Sequence, residues 1–138
     1  MIDIEKLKMT GILVGIRHKR NFSVLDRFGK IVDDVVDNST SKFPKGYFDG
    51  VSVEGFTKSI TNEKTKNYIK FTQFDLVYSH NIENKTNSDV EYNEFFNRFN
   101  NFIVPSIIEE YNIRDFSRIG IVYNFEFTDK EIYDKCLK

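Results

Sequence analysis

Apolar residues change their spacing repeatedly between residues 9 and 128, and each change marks a candidate element. Met9 to Ile16 is a nearly continuous apolar run, the pattern of a strand covered on both faces or central in its sheet. Leu25, Phe28, Ile31/Val32 and Val35/Val36 then recur at helical spacing, after a Ser23 that stands three residues before Asp26 as in a capping box. The short polar side chains of Asp37-Asn38-Ser39-Thr40-Ser41 compete for backbone hydrogen bonds and should stop this helix. Val51, Val53 and Gly55 alternate with Ser52 and Glu54, and the run continues to Ile60 as a second strand. The polar stretch from Thr61 to Asn67 predicts a solvated hairpin loop. Tyr68 to Tyr78, rich in aromatic and β-branched residues, predicts a third strand. In it Tyr68, Phe74, Leu76 and Tyr78 share one parity and Ile69, Phe71 and Val77 the other, which suggests a β-bulge near Thr72-Gln73 or burial on both sides.

Ser88 and Glu91 match the capping-box pattern, and Phe95, Phe99, Phe102 and Ile103 line one face of a second helix. Pro105 lacks the N–H that would bond back to Asn101, so this helix must kink or restart there, while Ile107, Ile108 and Tyr111 extend its apolar face. From Arg118 to Phe127, Ile119, Ile121, Tyr123, Phe125 and Phe127 point one way and Gly120, Val122, Asn124 and Glu126 the other. The order β-α-β-β-α-β is the ferredoxin-like, split-βαβ plan: an α+β fold with a four-stranded antiparallel sheet and two helices on one face. The opposite face is then open. Aromatics of both parities on the third strand make that face apolar, and an exposed apolar patch marks an interface.

The 138 residues suit a single domain, with a core at about 9–128 and a C-terminal tail at 129–138. At 40% hydrophobic and 30% charged, the composition excludes collagen-like and low-complexity chains. Twenty Lys and Arg against 21 Asp and Glu give a net charge of -1, which removes the electrostatic reason to expect a duplex-DNA or anionic-membrane binder. The lone Cys136 forms no internal disulfide, and with His18 and His80 alone beside it no structural zinc set is available, so a cytoplasmic setting is expected. No apolar stretch approaches the length of a membrane-spanning helix, and the start, Met1-Ile2-Asp3-Ile4-Glu5, is too acidic for a secretory signal.

Three places invite a chemical reading. Arg17, His18, Lys19 and Arg20 gather cations before the first helix, as an anion site would, but without a glycine-rich cradle they read more simply as a solvated turn. Tyr68, Phe74 and Tyr78, with Lys70 beside them, are candidates for stacking single-stranded RNA on the sheet, although the glycine-aromatic consensus of RNA-recognition modules is missing. The loop from Ser41 to Gly50 carries Phe43, Pro44, Tyr47 and Phe48 and should fold back as a hydrophobic plug. Adjacent carboxylates at Asp33-Asp34 and Glu109-Glu110 diverge by about 100° on a helix and make a poor acid-base pair. No catalytic, metal-binding or cofactor-binding motif is present in the sequence, and none of these roles is assigned.

The segment Arg118-Ile119-Gly120-Ile121-Val122-Tyr123-Asn124, preceded by a long aromatic helix, by Phe43-Pro44 and by a strand from Lys70 to Ser79, resembles a sporadically distributed bacterial family of uncharacterised proteins. Members show a strand reading R-I/L-G-L-R-Y-x-N after a helix like Tyr92 to Tyr111. Here Val122 stands at the second arginine and Asn124 follows Tyr123 directly. The similarity spans residues 9 to 127; members usually continue into a second half, so the chain would correspond to their first. The resemblance implies a prokaryotic or phage setting, supplies no activity, and marks Arg118 and Tyr123 as signature positions. The expectation is therefore a non-enzymatic binding or assembly module. Its open sheet face would be covered by a protein partner or a second copy. The alternative is single-stranded nucleic-acid binding through the aromatic face and the cluster at 17–20.

Overall fold

The computed structural model describes residues 7–37, 43–82 and 88–127, with side-chain surroundings given for 9–36, 43–82 and 91–126. The described residues form six strands, β1 (Leu7–Arg17), β2 (Gly50–Glu54), β3 (Thr57–Thr61), β4 (Tyr68–Phe71), β5 (Asp75–Asn81) and β6 (Arg118–Phe127). They join in one sheet of order β2-β3-β4-β5-β1-β6, antiparallel throughout. Three helices accompany them: α1 (Ser23–Asp26), α2 (Phe28–Val32), which runs on in wider π-type winding over Asp33–Asp37, and α3 (Ser88–Arg98), which continues in the same way over Phe99–Glu109. This corrects the four-stranded, two-helix ferredoxin-like expectation.

Two turns account for the extra strands. Gly55 adopts φ +60, a conformation that L side chains rarely hold, and so the run from Val51 to Ile60 folds into a tight hairpin of β2 and β3 rather than one strand. Thr72 makes the second turn. Its Oγ1 accepts the Phe74 and Asp75 N–H groups at 3.2 and 2.9 Å, and its own N–H donates to the Asp75 carbonyl. The change of parity at Thr72-Gln73 is therefore a chain reversal between β4 and β5, not a bulge. A register shift lies between Met9 and Gly11 where β1 meets β6.

The loop between β3 and β4 is less solvated than its composition implies. Asn62 and Asn67 are buried; Asn62 accepts the Lys64 and Thr65 N–H groups and donates to the carbonyls of Gly46 and Tyr47, and Asn67 accepts the Asn81 N–H. The first helix also starts differently. Phe22 occupies its N-cap position without a side-chain cap, and Asn21 Oδ1 accepts the Ser23 N–H instead. The α3 winding widens around Pro105, where the missing N–H would have broken a regular ladder.

The core lies between the helices and one face of the sheet. Ile12, Val14 and Ile16 of β1 stand in register with His80, Tyr78 and Leu76 of β5, beside Ile69 and Phe71 of β4 and Ile60 of β3, and all are buried. Leu25, Phe28, Ile31 and Val35 cover them from the first helical stretch and Phe95, Phe102, Ile103 and Ile107 from the second. Phe43 and Phe48 fill the space between, with Phe43 ringed by Phe48, Tyr78 and Phe102 at 5.1 to 5.9 Å between centroids. The 43–50 part of the loop thus does plug the core; residues 41 and 42 lie outside the described residues, as does the expected tail.

Candidate functional site

Six strands at about 4.8 Å spacing make a layer about 29 Å wide from edge to edge, whereas the two helical stretches, each about 10 to 12 Å wide, cover about 20 to 24 Å side by side. The sheet is wider than its cover. Val51, Val53 and Phe56 are exposed at the β2 edge, and at the other edge Ile119, Ile121, Tyr123 and Phe125 are 61%, 46%, 39% and 56% exposed. These four share the parity of Ile16, Val14, Ile12 and Met9 in the β1–β6 register, so they point to the helix side, where the described helices leave them largely exposed. An apolar groove runs between Ile119 and Ile121 and the second helical stretch, walled by Phe96, Phe99, Val104, Ile108 and Phe116. Further along β6, the Tyr123 ring stacks 6.1 Å from that of Tyr92 on α3. A hydrogen bond with Tyr92 holds the Tyr123 phenol above its ordinary pKa.

β6 is also an edge in the hydrogen-bonding sense. It lies at the end of the strand order, and β1 is its one partner among the described residues. Natural sheets blunt long edges with lysine, proline, bulges or short strands. β6 is ten residues long, has no proline, and carries its charges only near its ends, at Arg118 and Glu126.

The reverse face of the sheet is not the apolar surface expected of it. Ser52, Glu54, Thr57, Ser59, Thr61 and Lys70 occupy much of it, and Leu13, Val77 and Val122 form a smaller apolar strip over β1, β5 and β6. The expected stacking platform is divided. Tyr68 and Lys70 lie together on the reverse face, the ammonium 6.0 Å from the ring, whereas Tyr78 is buried on the helix side and Phe74 sits in the β4–β5 turn. Arg17 and Arg20 place their guanidinium groups 5.8 and 5.3 Å from the Phe74 ring, and Arg17 pairs with Asp75 at 3.9 Å. His18 is buried, with Nδ1 2.7 Å from the Lys19 carbonyl, and so is no member of an exposed basic cluster. Arg118 stands opposite Arg17 at the end of β6, and Tyr123 lies on the uncovered edge.

The sequence reading missed one polar constellation. His80 Nε2 lies 2.6 Å from Glu91 Oε2, and Tyr47 Oη bridges His80 Nδ1 and Tyr78 Oη. Every one of these groups is satisfied if His80 Nε2–H donates to Glu91, Tyr47 O–H to His80 Nδ1 and Tyr78 O–H to Tyr47. Burial lowers the His80 pKa, against the Glu91 bond that raises it. Burial also pushes both phenols up, which favours their neutral forms beside a neutral imidazole. Arg98 lies over the Tyr47 ring at 4.8 Å and donates from Nη2 to Glu94 at 3.1 Å. A carboxylate-imidazole-hydroxyl order is one that activates oxygen nucleophiles. Here it ends in the core at Tyr78 and its phenols hold their protons, so it fastens the plug loop to β5 and α3. Its signal lay in the alternation of Leu76, Tyr78 and His80, which points the imidazole inward.

No family model, curated protein or solved structure matches the chain. Among the described residues no group of His, Cys, Asp and Glu could hold a metal ion, and no helix is long and apolar enough to cross a membrane.

Proposed function

We propose that this chain is a non-enzymatic binding or assembly module of a cytoplasmic protein, and that its contact surface is the uncovered edge of β6 with the groove beside it. One observation carries the reading: four large apolar side chains stand exposed in a row on a strand whose outer backbone edge has no partner among the described residues. Apolar area of that kind returns about 25 cal/mol per Å² when a partner removes it from water, and an open strand edge supplies the directional hydrogen bonds. The polar reverse face takes the place from which the open-face reading started, so the surface moves from the back of the sheet to its rim. Dividing Tyr68 and Tyr78 between two faces withdraws support from the nucleic-acid alternative.

Ile121→Lys tests the reading. Ile121 is half exposed and packs no core, so the variant should melt within a few degrees of the wild type. It should lose most of the wild-type fluorescence of a hydrophobic dye, or most of its association measured by light scattering. A wild-type protein that binds no dye and stays a monomer would remove the proposal.

A further inference from the structure

Resting on that reading, we infer that the occupant of the β6 edge is a second copy of this chain, paired antiparallel to β6 about a two-fold axis through Val122. A two-fold axis normal to a sheet keeps each side chain on its own face, so residues that come opposite each other must share parity and the axis must pass through a residue. With the axis at Val122, Ile119 faces Phe125 and Ile121 faces Tyr123 on the helix side, while on the reverse side Val122 faces Val122, Gly120 faces Asn124 and Arg118 faces Glu126. Both ends of the pairing then oppose unlike charges, and the apolar side chains meet apolar ones.

Neighbouring registers lose this match. With the axis at Tyr123, Gly120 faces Glu126 and Val122 faces Asn124; with the axis at Ile121, Arg118 faces Asn124 and Gly120 faces Val122. Neither opposes unlike charges. The Val122 register also brings the two exposed helix-side rows together as one apolar floor between the helices of the two copies, with Phe96, Phe99 and Phe116 of each copy bordering it. The β2 edge offers no such self-match: it is five residues long and has one charge, Glu54, at its end. Pairing of β2 with β6 would moreover be head-to-tail and open-ended.

The test uses engineered cysteines in a Cys136→Ser background. Residues directly opposite each other have Cα atoms about 4.5 to 5.5 Å apart, within disulfide reach. Val122→Cys should therefore link to itself on mild oxidation and give a covalent dimer. Gly120→Cys alone should not, because its two copies lie about four residues, or 13 Å, apart along the strands; a Cβ there meets nothing within 4 Å, so the substitution is accommodated. An equal mixture of Gly120→Cys and Asn124→Cys should give the mixed dimer. A wild-type dimer by light scattering whose Val122→Cys form does not cross-link would overturn this inference and leave the binding-module reading standing. So would a monomer that binds dye through Ile121 and captures a different protein. If the dye signal of a monomer rises when residues 128–138 are removed, the chain covers its own groove, and both readings fall.

Discussion

His80 is the residue whose titration the fold alters most legibly. Burial lowers its pKa in the folded state, and the nearby Arg98 charge lowers it further, against the opposing pull of Glu91. The unfolded chain, with an imidazole near about 6.5, therefore binds the proton first. The stability His80 contributes is complete above that value and falls as the pH drops below it. We expect the melting temperature to decline between pH 7.5 and about 5.5, before most carboxylates titrate. His80→Gln should start from a lower melting temperature, through the loss of its bonds to Tyr47 and Glu91, but show a flatter slope over that range. Equal slopes in the two proteins would show that His80 does not titrate differently on folding. The partners of this imidazole were not legible in the sequence, because Tyr47 lies 33 residues before it and Glu91 has a local role ready-made as a capping-box residue.

Among the elements, the strands at the two ends of the chain were the most readable. β1 reads as one apolar run because Ile12, Val14 and Ile16 face the core while Leu13 and Gly15 belong to the apolar strip on the reverse side, and β6 alternates over its whole length. The four middle strands were harder. A two-residue reversal at Gly55 leaves no polar gap in the run from Val51 to Ile60, and the turn at Thr72 imitates a bulge because Phe74 follows it directly. Gly55 makes the hairpin, and its φ of +60 sets what can replace it. Gly55→Ala should destabilise the protein by about 1 kcal/mol in urea denaturation, and Gly55→Asn by less, since asparagine visits this region more readily. No neighbour lies within 4 Å of a Cβ built there, so the loss is conformational and not steric. Equal stability of all three proteins would mean that the turn relaxes to another type.

For the molecule as a whole, the decisive quantity is the width of the sheet against the width of its helical cover. A four-stranded sheet under two helices has a closed helix side and an open back, so the surplus aromatics seemed to belong on the back. Six strands under the two described helical stretches leave the outermost strands largely exposed on the helix side, and that is where Ile119, Ile121, Tyr123 and Phe125 stand. The exposed apolar side chains lie at the rim of the sheet, on β6, and not among the third-strand aromatics from which an apolar back was expected.

Amide hydrogen exchange along β6, read residue by residue by NMR, tests this most directly. Alternate N–H groups of an edge strand point inward to its neighbour and outward to water. A free edge exchanges its outward amides fast whatever the stability of the core. If a second copy covers β6, every amide from Ile119 to Phe125 should be protected, and the protection of the outward set should fall away on dilution or in Ile121→Lys. Strict alternation of slow and fast amides along β6, unchanged with protein concentration, would contradict the account.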